Sequence, residues 1–169
     1  IFGKGVLVTG ESGVGKSELA LDLINRGHVL VADDRVDAYH MHNKIVGKAP
    51  QLLKGYLEIR GIGIIDVVKM FGARAFLNDI HIEFIIHLEH FDKLKAYERV
   101  GNEETFEDIM SVQIPKLTLP VKEGRNMSVL VESAVTNFTL KQMGINSSQD
   151  FENMVFQHIV DINEKNGIK

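Results

Sequence analysis

Eight consecutive residues carry the plainest chemistry in this chain: Gly10, Glu11, Ser12, Gly13, Val14, Gly15, Lys16 and Ser17, a complete G-x-x-x-x-G-K-[ST] pattern. Glycines at this spacing let backbone amides curl around a phosphate. A helix starting at the end of the loop adds unsatisfied N–H groups and the positive end of its dipole. Lys16 is then placed to reach β- and γ-phosphates, and the Ser17 hydroxyl to coordinate Mg²⁺. Asp33 and Asp34 are the next pair to weigh. In enzymes with such a loop, an Asp at the end of a neighbouring strand positions the metal. When the acceptor is a hydroxyl, a carboxylate there can also take its proton; a solvated or salt-bridged turn is the plainer alternative. Glu58 could complete a magnesium shell of hard oxygen ligands, although Glu58 and Arg60 read equally well as surface charges. Arg99 could meet the equatorial oxygens of a phosphoryl group in transfer, and most arginines do no such thing. His40/His42 and His87/His90 are spaced as metal pairs but bring no evident third and fourth ligand.

These residues need elements to hold them. Gly5 to Thr9 is a short apolar, β-branched run that reads as a buried strand, and Glu18 to Arg26 reads as a helix with an apolar face. Strand, glycine-rich turn and helix N-terminus form the context the motif requires. His28 to Ala32 reads as a second buried strand, delivering Asp33 and Asp34 at its carboxyl end, where ligands of open α/β sheets sit. Asp37 to His42 alternates as a strand, and Asn43 to Pro50 reads as a connector broken by Gly47 and Pro50. Leu57 to Asp66 is apolar but interrupted by two glycines and three charges, which suggests close backbone approach or mobility rather than plain core. Val67 to Phe71 reads as a short helix stopped by Gly72. Ile80 to Glu89 is the strongest strand of the middle region. A loop is expected over Gly101 to Glu107, then strands over Ile109 to Ile114 and Lys116 to Val121, punctuated by Pro115 and Pro120. Met127, Leu130, Val131, Ala134, Val135 and Phe138 form one helical face behind Asn126 as N-cap, with Gly144 as the stop. Ser147 and Asp150 resemble a capping box for a last amphipathic helix from Phe151 to Ile162. The expected fold is thus α/β, a P-loop kinase-like β-sheet core with a helical C-terminal tail, in one domain over 1–169.

Composition narrows the function classes. A chain of 169 residues with 44% hydrophobic and 25% charged residues suits a single globular domain. A net charge of −4 with no evident basic face argues against nucleic acid as a partner. No apolar run approaches the length of a membrane span. The absence of cysteine excludes disulfides and thiolate metal sites. A GTPase would carry N-K-x-D, whereas Asn43-Lys44-Ile45-Val46 ends in Val, and no D-x-x-G switch is present. A small kinase-like enzyme remains. The rivals are a kinase of a small hydroxylated metabolite and a nucleotide-sensing interaction module without transfer activity. The start at Ile1-Phe2, without Met, suggests a fragment.

Several motifs occur together and in order: Gly10 to Ser17, Arg26 to Asp34, Leu57 to Asp66, Tyr97 to Gly101 and Pro120 to Asn126. In this the chain resembles the C-terminal catalytic domain of the HPr kinase/phosphorylase family of bacteria. The resemblance implies a bifunctional enzyme that phosphorylates a serine of the carrier protein HPr from ATP or pyrophosphate. It also implies removal of that phosphate by inorganic phosphate to give pyrophosphate. Mg²⁺, a cytoplasmic homohexamer and a role in carbon catabolite repression come with it. By position it assigns Lys16 to the phosphates, Ser17 and Glu58 to Mg²⁺, and Asp34 to proton transfer in both directions. Arg99 becomes a further active-site residue. Pro120, Val121, Lys122, Glu123, Gly124 and Arg125 are tied mainly to phosphorolysis. The family also carries a histidine and an N-terminal domain upstream of the point where this chain begins.

Overall fold

The computed structural model describes residues 1–92 and 105–165. Its centre is β6 (Asp79–His90), a strand of twelve residues whose inner positions are almost all apolar. The loop-bearing strand β1 (Gly5–Gly10) pairs with it in parallel, from Gly5 opposite Ile82 to Gly10 opposite Leu88. On the opposite edge β8 (Val112–Val121) is also parallel, from Lys116 opposite Ile85 to Val121 opposite His90. Antiparallel strands complete the sheet: β7 (Thr105–Ile109) on β8, and the hairpin of β2 (Asp37–Met41) and β3 (Lys44–Lys48) on the first residues of β6. A separate two-stranded hairpin is made by β4 (Tyr56–Ile59) and β5 (Gly63–Asp66).

β6 contributes to two cores, and a register shift beside Gly5 and Val6 breaks its alternation between Ile82 and Phe84. Phe84, Ile86 and Leu88 face α1 (Lys16–Asn25) and α3 (Met127–Gln142), where Val131 and Val135 are fully buried and Phe138 stacks on Phe84 with ring centroids 4.4 Å apart. Ile82 and Ile85 join Ile45 and Ile114 in the other cluster. A third cluster ties Ile24 of α1 to Leu57 and Ile59 of β4 and to Val67 of α2 (Val67–Phe71), which ends at Gly72 as expected. Burying one such Leu or Ile side chain contributes roughly 1.5–3 kcal/mol. These contacts lock the glycine-rich loop and the β4–β5 hairpin to the same helix.

Four expectations change. The run His28 to Ala32 is not a strand: it makes a single parallel bridge, Leu30 with Phe76, and Val29 is exposed. Its β-branched composition suits a sheet, but only one of its edges meets a neighbour. The connector at 43–50 contains β3, because His42 and Asn43 both take positive φ (48° and 60°) and close a two-residue hairpin. Met110 and Ser111 do the same at 51° and 65°, so the strands lie at 105–109 and 112–121, and β8 runs through Pro115 without a break. Of the loop expected at 101–107, residues 105–107 therefore belong to β7, and the rest lies outside the described residues. Finally, α4 (Ser147–Lys165) is capped by Asn146, whose Oδ1 accepts from Gln149 N–H at 3.4 Å, rather than by a box at Ser147 and Asp150. Much of the apolar face of α4 is exposed, including Phe151, Met154, Phe156 and Ile159. Among the described residues no helix is long and apolar enough to cross a membrane.

Candidate active site

The site grows from the carboxyl end of β1. Gly10 lies so close to β6 that a Cβ there would stand 2.4 Å from the Leu88 carbonyl oxygen. Gly13 and Gly15 take φ of 85° and 100°, and Gly15 is the left-handed residue from which α1 starts. The loop therefore ends on the first turn of α1, with that turn's free N–H groups at its mouth. Lys16 Nζ donates to the carbonyls of Gly10 and Glu11, both at 2.9 Å, so the ammonium sits over the loop it serves. Glu11, Ser12 and Gly13 are exposed at the apex, while Val14 anchors the loop in the core at 4% exposure.

Ser17 fixes the next link. Its hydroxyl donates to Asp33 Oδ1 at 3.0 Å, and Asp33 Oδ2 accepts from the Glu58 backbone N–H at 3.1 Å. One carboxylate thus joins the first turn of α1 to strand β4. Alternation along β4 buries Leu57 and Ile59 and turns Glu58 outward on that side. Ser17, Asp33 and Glu58 offer hard oxygen atoms of the kind a divalent cation takes. Among the described residues no cluster of three or more His, Cys, Asp or Glu side chains forms, and neither histidine pair gathers partners for a metal. His87 Nδ1 instead pairs with Thr9 Oγ1 at 2.9 Å.

Asp34 differs from its neighbour. It takes φ of 42°, and Arg35 N–H closes back onto the Asp33 carbonyl across it, making a three-residue turn. Asp tolerates this left-handed region better than most residues, at a cost on the order of 1 kcal/mol. No hydrogen bond or ion pair holds its carboxylate among the described residues. It lines a cavity of about 690 Å³ that also reaches Lys16 and Asp33. The sequence groups Asp33 and Asp34 together; the structure gives the first two fixed partners and leaves the second open to a reactant.

The remaining candidates divide. Leu88 of β6 pairs with Gly10 on one side and Leu119 on the other. Pro120 and Val121 therefore end β8 at the same end of the sheet as the loop, and Lys122 to Arg125 leave it there, two strand spacings or about 10 Å across. Lys122 lies over the Phe91 ring at 5.0 Å, and Gly124 turns the chain (φ 80°) into the Asn126 cap, which accepts from Val129 N–H at 3.1 Å. Arg99 lies outside the described residues. Nothing in the residue pattern favours Arg60 as a site residue over a surface charge. Its guanidinium nevertheless sits 3.4 Å from where a Gly13 Cβ would stand, bringing the β4–β5 turn against the loop apex.

Away from the reacting edge, Glu132 of α3 accepts from Arg26 at 2.8 Å and 2.5 Å and pairs with His28 Nε2 at 2.9 Å. The Arg26 guanidinium first, and the His28 ring second, hold the Glu132 carboxyl down to about 2. This cluster pins the end of α1 to α3.

The family profile described as HPr Serine kinase C-terminal domain matches residues 1–155. The HPr kinase/phosphorylase of Lactobacillus johnsonii is 49% identical over 166 residues, covering 98% of this chain and 52% of that protein. The protein of the same name from Latilactobacillus sakei is 50% identical over 153 residues, 90% of this chain and 49% of its own. The chain spans about half the length of the curated relatives it matches. Among solved structures, the Hpr(Ser) kinase/phosphatase from Coxiella burnetii superposes with a TM-score of 0.79 at 41% identity, covering 88% of this chain and 90% of that one.

Proposed function

The chain belongs to the HPr serine kinase C-terminal domain family, and from that membership we propose that it carries the phosphotransfer site of an HPr kinase/phosphorylase. ATP or pyrophosphate would bind with its terminal phosphates in the loop from Gly10 to Ser17, held by backbone amides, the first turn of α1 and Lys16. Ser17, Asp33 and Glu58 would hold Mg²⁺, which supplies neutralisation of charge on the phosphates. Asp33, weighed from the sequence as a metal-positioning residue beside Asp34, joins Ser17 and Glu58, the pair the family resemblance assigns to Mg²⁺.

Asp34 would accept the proton of the HPr serine as its oxygen bonds to the terminal phosphorus and the bond to the leaving phosphate oxygen breaks. In the reverse direction an oxygen of inorganic phosphate bonds to the phosphorus of phosphoserine. The bond to the serine oxygen then breaks, Asp34 returns the proton, and pyrophosphate leaves. Microscopic reversibility makes the base of one direction the acid of the other. The observation that carries this reading is the contrast within one pair: Asp33 is tied to Ser17 and Glu58, while Asp34 beside it is unpaired among the described residues and lines the cavity. Arg99 and the segment Pro120 to Arg125 belong to the same reading, the latter as a contact for phosphate in phosphorolysis. So do HPr as the protein substrate, a homohexamer and a cytoplasmic setting.

The test is to supply Mg²⁺ and serine-phosphorylated HPr with and without inorganic phosphate, and to assay pyrophosphate. Phosphate-dependent release is expected. Its absence, together with no transfer from ATP to HPr, would overturn the reading.

A further inference from the structure

Among the described residues the buried polar side chains are Ser128, at 2% exposure, and His28, at 8%, and both are spent on tying α3 to α1. The Ser128 hydroxyl donates to Asp22 Oδ2. One turn further along both helices, Glu132 receives Arg26, the residue that ends α1, and pairs with His28. The two ties therefore rise together, and the helices run parallel. Their strands require the same: β1 and β8 both lie parallel to β6, and α1 and α3 return over one face, with Leu19, Leu23, Val131 and Val135 in a single cluster. Aliphatic contacts are non-directional and set the height of one helix on the other only loosely. A buried hydroxyl is stricter, because a slip would leave it without a partner.

That height matters because each helix begins at the reacting edge. Helix α1 starts in the phosphate loop, and Asp22 lies about 9 Å along its axis from Lys16. Ser128 is the second residue of α3, directly behind the Asn126 cap and the turn at 122–125. Arg125 N–H closes that turn on Lys122 O at 3.2 Å, and Phe91 N–H holds its entry through Val121 O at 3.1 Å. The turn is thus anchored to the sheet at one end and, through Ser128, to α1 at the other. Among the described residues no hydrogen bond or ion pair runs from 122–125 to the loop itself. Its place beside the phosphates is set by the helix behind it.

We propose that Asp22 and Ser128 are positioning residues for the reaction with inorganic phosphate: their bond fixes the height of α3 on α1 and so holds Lys122 and Arg125 where that phosphate must bind. The inference rests on the reading of the site as that of an HPr kinase/phosphorylase. A nucleotide brings an α-phosphate and a nucleoside as further handles, whereas inorganic phosphate depends on the charges gathered around it. Loss of the tie therefore weakens the phosphate-dependent reaction and spares the ATP-driven one. Phosphorylation of HPr from pyrophosphate is the reverse of phosphorolysis and passes through the same transition state, so it slows with it.

The test measures three reactions on each variant: phosphorolysis, pyrophosphate-driven phosphorylation and ATP-driven phosphorylation. Asp22 lies at the surface, so Asp22→Ala leaves the core intact. It should raise the phosphate concentration for half-maximal pyrophosphate release about tenfold. Pyrophosphate-driven phosphorylation should fall in proportion, and ATP-driven phosphorylation should stay within about twofold. Asp22→Asn keeps an oxygen that accepts from the Ser128 hydroxyl and should restore phosphate dependence to that of wild type. Ser128→Ala should repeat Asp22→Ala, and the double variant should be no worse than either single change. Ile114→Val, buried in the cluster away from α1, controls for lost stability alone and should leave the ratio of the reactions unchanged. Equal loss of the ATP- and phosphate-dependent reactions in Asp22→Ala, an Asp22→Asn as impaired as Asp22→Ala, or full addition in the double variant would overturn the inference. So would unchanged phosphate dependence in Asp22→Ala beside an active wild type. A wild-type chain that neither releases pyrophosphate nor phosphorylates HPr from ATP would overturn the underlying reading, and this inference with it.

Discussion

Replacing each carboxylate of the Asp33–Asp34 pair by its amide separates a structural tie from a reacting group. In Asp33→Asn the amide must keep its oxygen toward Glu58 N–H, which can only donate, and turn its NH₂ toward Ser17. The Ser17 hydroxyl can rotate to accept, so both contacts survive without charge assistance, at a loss of about 1 kcal/mol. For a chain of this size that is about 2–4 °C in Tm. Asp33→Ala removes both contacts and should cost about 2 kcal/mol. Asp34→Asn loses no hydrogen bond, and Asn accepts positive φ as readily as Asp. Its Tm should stay within about 2 °C. Activity should rank in the opposite order. Asp34→Asn should lower transfer in both directions by about 10²–10⁴-fold with nucleotide affinity nearly unchanged. Asp33→Asn should chiefly raise the Mg²⁺ concentration needed. Thermal melts, nucleotide titration and pyrophosphate release on the three variants supply the readouts. Transfer within tenfold of wild type in Asp34→Asn would refute the assignment. An Asp33→Asn protein with unchanged Tm and unchanged Mg²⁺ dependence would refute the tie.

Three further outcomes are expected. Lys16→Ala should weaken phosphate and nucleotide binding and slow both reactions; wild-type turnover would remove the loop from the mechanism. Glu132→Gln tests the Arg26–His28–Glu132 cluster through pH. Because the folded carboxyl is held at about 2 against an ordinary 4.5, the unfolded chain takes up the proton first as pH falls. The stabilisation is complete above about pH 4.5 and lost toward pH 2. Urea melts at pH 6, 4 and 3 should therefore show the gap between wild type and Glu132→Gln shrinking, and a constant gap would contradict it. Gly10→Ala should cost about 3 kcal/mol or more, because its Cβ would meet the Leu88 carbonyl at 2.4 Å. Gly15→Ala, with nothing within 4 Å, should cost only the roughly 1–2 kcal/mol of its left-handed φ, as denaturant titration can measure.

What could be read in advance followed from patterns that are local. The loop, its strand and its helix are contiguous, and Asn126 and Gly144 bound α3 by rules acting within one turn. Three things escaped. The hairpins at His42-Asn43 and Met110-Ser111 use positive φ at non-glycine residues, which composition signals weakly or not at all. Asp33 and Asp34 are the same residue type side by side, and only the turn between them decides which one meets Ser17. Arg60 reaches Gly13 across 47 positions of chain, a contact no spacing rule contains. The expectation of a strand at 28–32 reflected its side chains correctly, but a strand also needs partners on its edges.

The pairing of β1 with β6 also bears on how the protein comes into being. Val6 finds its partner at Phe84, about 80 positions later, and synthesis at about 5–20 residues per second puts roughly 4–16 s between them. During that interval α1 can form from local contacts, but the apolar run Gly5 to Thr9 has no sheet to join. Such distant pairing slows folding and leaves strand edges open to other chains. The segment bearing the phosphate loop is thus made well before the strand that secures it. Its needs for a chaperone on the ribosome should exceed those of the helical tail, which is born after its whole sheet is complete.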